Sequence, residues 1–285
     1  MTENGISLLT NKDKFRKMIQ YTQERTRFTP LLLEKDFYLT LVLHKISQNN
    51  LPLVFKGGTC LNKCYLGYYR LSEDLDFVYL NKNLKTRSQR RKQFSEIETR
   101  LKPILSHIPG LVKGDLEKFD EHHQARLMIH YDSVFDEKGR IQIEITHRHP
   151  LRLKPVNREI SHCFKDPFSN DNVISSKIIQ CMDLKEVAAE KIRACFTRKI
   201  PAIRDYFDLW YLRTQAGFNF SDSEFLRILK KKLDESKVFV GLDQQIEVLK
   251  KQVRQELLPT ISNHYDFDLD KTIQFIKKTI KVETP

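Results

Sequence analysis

The sequence predicts an α/β (α+β) half built on a mixed sheet, followed by a helical half. Short apolar runs with strand-like alternation fall between residues 51 and 146, while helical periodicity dominates after residue 183. A polar stretch carrying Pro150, Pro155 and Pro167 separates the two patterns. A chain of 285 residues has the mass to bury one large core or two ordinary ones. Its composition, 40% hydrophobic and 30% charged with 9 glycines and 10 prolines, excludes disordered and collagen-like classes.

The first predicted helix covers about residues 12–26. Thr29 is the predicted N-cap and Pro30 the first helical residue of a second helix reaching about Ile46, because the missing N–H of proline costs nothing there. A strand over 51–55 runs into Gly57-Gly58. Residues 59–66 read as a short helix, 75–80 as a strand and 87–107 as a strongly charged helix. Alternation from Gly110 to Thr146 places strands over 125–131 and 141–146, with Asp136-Glu137-Lys138-Gly139 as the turn of an antiparallel part. Residues 147–176 read as an irregular connection and the domain boundary. The expected division is a core with N-terminal helices over 1–150 and a mainly helical domain over 151–285. The second domain holds helices over 183–198, 202–215, 222–233, 242–257 and 270–281, punctuated by Pro201, Gly217 and Pro259.

The N-terminus has no sustained apolar stretch, and no segment approaches the roughly 18 apolar residues of a membrane span, so a cytoplasmic protein without a membrane partner is expected. Cys60, Cys64, Cys163, Cys181 and Cys195 are odd in number and form no CxxC pair. This favours free thiols in a reducing compartment and argues against zinc. The formal charge is +12, which favours a polyanionic partner through phosphate contacts, unless it is a generic basic surface.

Val54-Phe55-Lys56-Gly57-Gly58-Thr59 is a strand entering two glycines, a hydroxyl and a helix. Glycine lets a ligand approach the backbone, and a helix start offers unpaired N–H groups to phosphate, although a glycine pair after a strand is often only a tight turn. Fifteen residues after Thr59, Asp74 and Asp76 share one face of a strand whose other face carries Leu75 and Phe77. Two carboxylates so placed repel each other until a divalent cation sits between them, and hard oxygen ligands suit Mg²⁺, with Mn²⁺ as the alternative.

A third acid is expected on a neighbouring strand. Glu144 is the candidate, since Ile141, Ile143 and Ile145 share the opposite face, but alternation does not say which face meets the site. Lys191 falls inside the apolar stripe Leu184, Val187, Ala188, Ile192, Cys195 and therefore needs an anionic partner or an outward path. Asp205 and Asp208 are three apart on the next helix, where an Arg204–Asp208 pair is the bland account. Asp36 interrupts the stripe of the second helix beside Lys35, which favours structural support over a site contact. His147-Arg148-His149 fits no common zinc spacing and reads as a basic loop.

In combination, Glu34-Lys35-Asp36, residues Val54 to Lys63, and Arg70-Leu71-Ser72-Glu73-Asp74-Leu75-Asp76-Phe77 closely resemble the AbiEii/AbiGii family of nucleotidyltransferase toxins. So do Glu190-Lys191-Ile192-Arg193-Ala194 and Arg204-Asp205-Tyr206-Phe207-Asp208-Leu209. The resemblance spans about Glu34 to Leu212. It implies a DNA-polymerase-β-like nucleotidyltransferase core with a helical C-terminal domain, in an abortive-infection or toxin–antitoxin system acting in antiviral defence beside a cognate antitoxin.

It also implies that Gly57, Gly58 and Thr59 hold a nucleoside triphosphate, with Lys56, Lys63 and Ser72 in the same motif. Asp74 and Asp76 would hold the metal, Lys191 and Asp208 would complete the site, and Glu144 stays the candidate third acid. The expected acceptor is RNA, in particular the 3′ end of tRNA. Candidate cations for its backbone are Arg87 to Arg100, with Arg90, Arg91 and Lys92, and Lys230, Lys231, Lys232, Lys250, Lys251, Lys277 and Lys278. Transfer to a protein or small molecule is the alternative, and a non-catalytic partner-binding module the second alternative.

Overall fold

The computed structural model describes residues 4–80, 86–147, 151–236 and 239–281. The chain forms two compact units, Met1–Leu151 with Pro155–Met182, and Arg152–Lys154 with Asp183–Pro285.

The first unit opens with α1 (Asn4–Leu8), α2 (Lys12–Thr26) and α3 (Pro30–Ser47). Asn11 caps α2 by accepting from the Lys14 N–H, and α3 starts at Pro30 after an extended Thr29. α3 buries residues all round, from Leu33 and Phe37 to Tyr38, Thr40 and Leu41, so it runs through the core and not over it. After β1 (Leu53–Lys56), α4 (Gly57–Cys60) continues into a wide π-helical turn over Leu61–Leu66, and β2 (Asp74–Tyr79) follows. α5 (Arg87–Ser106) starts at a capping box in which Thr86 accepts from Gln89 N–H and Gln89 from Thr86 N–H. It buries Phe94, Ile97, Leu101 and Leu105.

β3 (Leu111–Phe119), β4 (Gln124–Asp132), β5 (Lys138–Thr146), β6 (Val156–Glu159) and β7 (Ile178–Cys181) complete a seven-stranded sheet of order β3-β4-β5-β2-β1-β7-β6. β2 runs parallel to β5 and β1 parallel to β7, and the other neighbours are antiparallel. The sheet is therefore mixed.

Residues 155–182, assigned by sequence to the irregular connection and helical domain, instead finish this sheet, so the first unit ends at Met182. Their strands escape sequence reading because each has four residues, and β6 reads Val-Asn-Arg-Glu with three of the four exposed. Pairing with β1, more than a hundred residues earlier, supplies the order that local pattern lacks.

The second unit holds α6 (Leu184–Thr197), α7 (Ile203–Thr214), α8 (Ser223–Asp234), α9 (Ile246–Gln252) and α10 (Leu269–Lys281). Asp183 and Asp222 cap α6 and α8 through their carboxylates. α6 packs on α7 and α8, and α7 packs on α10. The fully buried Glu186 accepts from the backbone N–H groups of Arg152 and Leu153 and pairs with Lys232 at 2.8 Å, while Glu190 meets the same ammonium at 2.7 Å. Among the described residues no helix is long and apolar enough to cross a membrane.

Candidate active site

β1 delivers its last residue, Lys56, to a turn that only glycine fits. Gly57 sits at φ 80°, and a Cβ there would overlap Asp76 Oδ2. At Gly58 a Cβ would lie 2.5 Å from Arg70 Nη2 and 2.9 Å from Ser72 Oγ. The glycine pair thus lets the turn close onto the start of β2. The buried Thr59 hydroxyl donates to the Asp74 carbonyl, so it clamps turn to strand and its proton is committed within the protein.

Antiparallel pairing sets Lys56 opposite Asp76, and the parallel pairing of β2 with β5 sets Asp76 beside Glu144. Arg126 on β4 stands opposite Glu144. One row across four strands therefore reads Lys56, Asp76, Glu144, Arg126. Asp74, Asp76, Gln142 and Glu144 are half-buried, whereas Leu75, Phe77, Ile141, Ile143 and Ile145 are buried, so the acids share the face opposite the core. The structure thereby brings Glu144 to the strand position adjoining Asp76.

Burial, then the charge of Asp76, raises the Glu144 carboxyl above its ordinary 4.5, and Lys56 and Arg126 only partly oppose this. The donor set, two half-buried aspartates with a glutamate beside them, fits a hard divalent cation. Glu144 holds its proton more tightly folded than unfolded. Its ionisation therefore subtracts stability as pH rises from 4.5 through the raised value. Apo-protein stability is expected to fall over that window in the wild type and to stay flatter in Glu144→Gln, and divalent cation affinity should rise over the same window. Identical stability profiles for the two proteins would sink this account of Glu144.

Sequence reading did not single out Arg126 or Arg70. Arg126 places its guanidinium 5.1 Å from the centre of the Phe119 ring, and its Nε is buried without a hydrogen bond among the described residues. The signal was available: Arg126 alternates with the buried Ala125 and Leu127 and so belongs on the face of the acids.

Lys63, grouped with the nucleotide-binding residues, is fully enclosed. Its ammonium pairs with the Asp36 carboxylate at 2.7 Å and donates to the Thr40 and Tyr68 hydroxyls at 2.8 and 3.0 Å. Asp36 is therefore structural support, as its place in the helix stripe suggested, and Lys35 pairs with Glu73 at 2.7 Å. His147 packs against Tyr79 and Phe94, where burial first, then the positive surroundings, lower it to about 4. Its basic-loop companions Arg148 and His149 lie outside the described residues.

In the second unit, Lys191 lies 2.6 Å from Asp205 and 2.8 Å from Asp208, with Arg198 3.3 Å from Asp205. Burial would raise the Asp205 carboxyl, but Lys191 and Arg198 outweigh it and hold it below the usual range. The anionic partners that an ammonium in an apolar stripe requires are these two aspartates. Lys191→Met would remove the ammonium that both buried aspartates share, Arg198 remaining beside Asp205, at an expected cost of about 3–5 kcal/mol in denaturant unfolding. A loss below about 1 kcal/mol would contradict the buried cluster. Of the candidate acceptor cations, Arg90 is buried and donates to the Glu121 carbonyl, and Lys232 is buried against Glu186 and Glu190. Both are structural.

A glycine turn thus lies beside paired acids on one face of a mixed sheet. The family model described as "Nucleotidyl transferase AbiEii toxin, Type IV TA system" matches residues 42–280, and the chain belongs to that family. It is a nucleotidyltransferase toxin of a type IV toxin–antitoxin system, a family that implies an antitoxin partner. No curated protein matches the chain. A solved structure of a candidate nucleotidyltransferase from H. pylori is similar at 24% identity and a TM-score of 0.50, covering 90% of this chain and 100% of that one. The nucleotidyltransferase toxin MenT4 of Mycobacterium tuberculosis H37Rv aligns at 16% identity and a TM-score of 0.44, covering 97% and 98% respectively.

Proposed function

We propose that this enzyme transfers a nucleotide from a nucleoside triphosphate to the 3′ end of an RNA, with tRNA as the acceptor class. The observation that carries the reading is the closure of the Gly57-Gly58 turn onto Asp76, whose neighbour across the parallel pair is Glu144. The Gly58 and Thr59 N–H groups at the start of α4 receive the triphosphate, and Lys56 and Ser72 add a charge and a hydroxyl at its edge. Asp74 and Asp76 are the residues that would hold Mg²⁺, which supplies charge neutralisation to the phosphates when bound.

The acceptor hydroxyl oxygen forms a bond to the α-phosphorus as the bond to the pyrophosphate oxygen breaks, and the hydroxyl proton passes to Glu144, whose affinity for a proton is raised. Lys191 and Asp208 are also proposed to serve the reaction. In support, they belong to a buried charged cluster where apolar residues would pack at lower cost.

RNA is favoured by the +12 charge and by Arg87, Arg91 and Lys92, which stay exposed on α5. The test offers each labelled triphosphate in turn with total cell RNA and measures RNA binding across salt. Binding is expected to weaken with a log–log slope near −0.9 per phosphate contacted on a stem, and Arg87→Glu/Arg91→Glu/Lys92→Glu should reduce transfer to RNA without altering triphosphate affinity. A flat slope with a harmless triple reversal would transfer the reading to a protein or small-molecule acceptor.

A further inference from the structure

We infer that Cys60, Cys64 and Cys181 form a thiolate site for a single thiophilic cation, Zn²⁺ or Cu⁺. These residues come from the end of α4, the π-helical turn and β7, and their three sulfurs all lie within 4.8 Å of one another. Sulfurs sharing a tetrahedral ion at about 2.3 Å stand roughly 3.8 Å apart, so ligation asks for side-chain adjustments of an ångström or less. No other group of three such ligand atoms draws as close among the described residues, the carboxylates of the first unit included.

The backbone holds the three cysteines together independently of any ion. Cys60 and Cys64 are four residues apart along one continuous helical segment. Cys181 is fixed beside it because β7 pairs with β1 at Phe55, the Met182 N–H donates to the Phe55 carbonyl, and the Tyr65 hydroxyl donates to the Met182 carbonyl at 2.7 Å. Cys60 and Cys181 are fully buried, whereas Cys64 is partly exposed and offers a way in. Hydrogen bonding with the Cys181 and Cys60 thiols first, and then the charge of Lys63 and Arg158, lowers the Cys64 thiol below its ordinary range.

An all-sulfur donor set selects a soft or borderline d¹⁰ ion over Mg²⁺ or Ca²⁺. Three protein ligands leave a fourth position for water on Zn²⁺ and suffice by themselves for Cu⁺. The odd cysteine count and missing CxxC pair do not show this site, because one ligand arrives from a strand 117 residues after Cys64. Cys60 directly follows Thr59, so an ion here would brace the far side of the glycine turn.

The full chain, reduced and stripped with chelator, is titrated with Co²⁺ and Zn²⁺, and separately with Cu⁺ against a competing chelator. One equivalent should bind, with a sulfur-to-cobalt charge-transfer band in the Co²⁺ arm. The arm that binds in competition with chelator identifies the ion. Loading should protect Cys64, the partly exposed thiol of the three, from alkylation. Cys64→Ser, at the partly exposed position, should weaken binding by more than the about 100-fold typical of losing an outer-shell partner, and Cys181→Ser should do the same. Cys163→Ser should bind as the wild type does.

Failure of both ions to bind stoichiometrically, or binding that survives Cys64→Ser in a protein of unchanged melting temperature, would overturn the site. A disulfide among the three with no ion retained after reduction would also overturn it. None of these readouts depends on nucleotide transfer.

Discussion

Asp76→Asn is expected to lower nucleotide transfer by at least about 10²–10³-fold, the usual penalty for losing a single group that stabilises transition-state charge. Its effect on stability should stay within about 1 kcal/mol, because Asp76 is half-buried between Lys56, which it attracts, and Glu144, which it repels. The two losses offset. The substitution also removes a negative charge that raises the Glu144 carboxyl, so the pH at which Glu144 titrates should move down. Label transfer, thermal melting and titration of Glu144 by NMR read the three effects separately. Near-normal transfer by Asp76→Asn in the presence of Mg²⁺ would remove the residue from the catalytic set. A collapsed fold would make it structural.

The second large effect is expected at Lys63. Lys63→Met leaves the buried Asp36 carboxylate without its cation and should cost about 3–5 kcal/mol. Adding Asp36→Leu should recover most of that loss, because the double change removes both charges. The recovery stays incomplete, since the Tyr68 hydroxyl then loses both the Asp36 acceptor it holds at 2.6 Å and the Lys63 donor. Denaturant midpoints at constant slope give the comparison. If Lys63 instead bound the triphosphate, the single variant would keep its stability and lose affinity.

The elements that carry the site were readable because their signals are local. The strand before Gly57, the alternation around Asp74 and Asp76, and the three isoleucines flanking Glu144 each declare a face within a few residues. What sequence could not supply was adjacency. Glu144 beside Asp76 and Cys181 near Cys60 follow from pairing between strands far apart in the chain, and Arg126 opposite Glu144 from the register of the β4–β5 hairpin. The sense of buried charge was also hidden. Lys63, Arg90 and Lys232 look like surface cations in a basic chain, and only their partners, Asp36, the Glu121 carbonyl and Glu186, reveal them as interior.

The position of β1 also governs when the sheet can be completed during synthesis. β3, β4 and β5 are joined as successive hairpins and can zip up as they emerge from the ribosome. β1, made near the start and leading into Gly57, keeps one edge open until residues 178–181 arrive to pair with it. The nascent chain therefore carries an unpaired β1 edge through most of the translation of its first unit, and its sheet is complete only when β7 has been made.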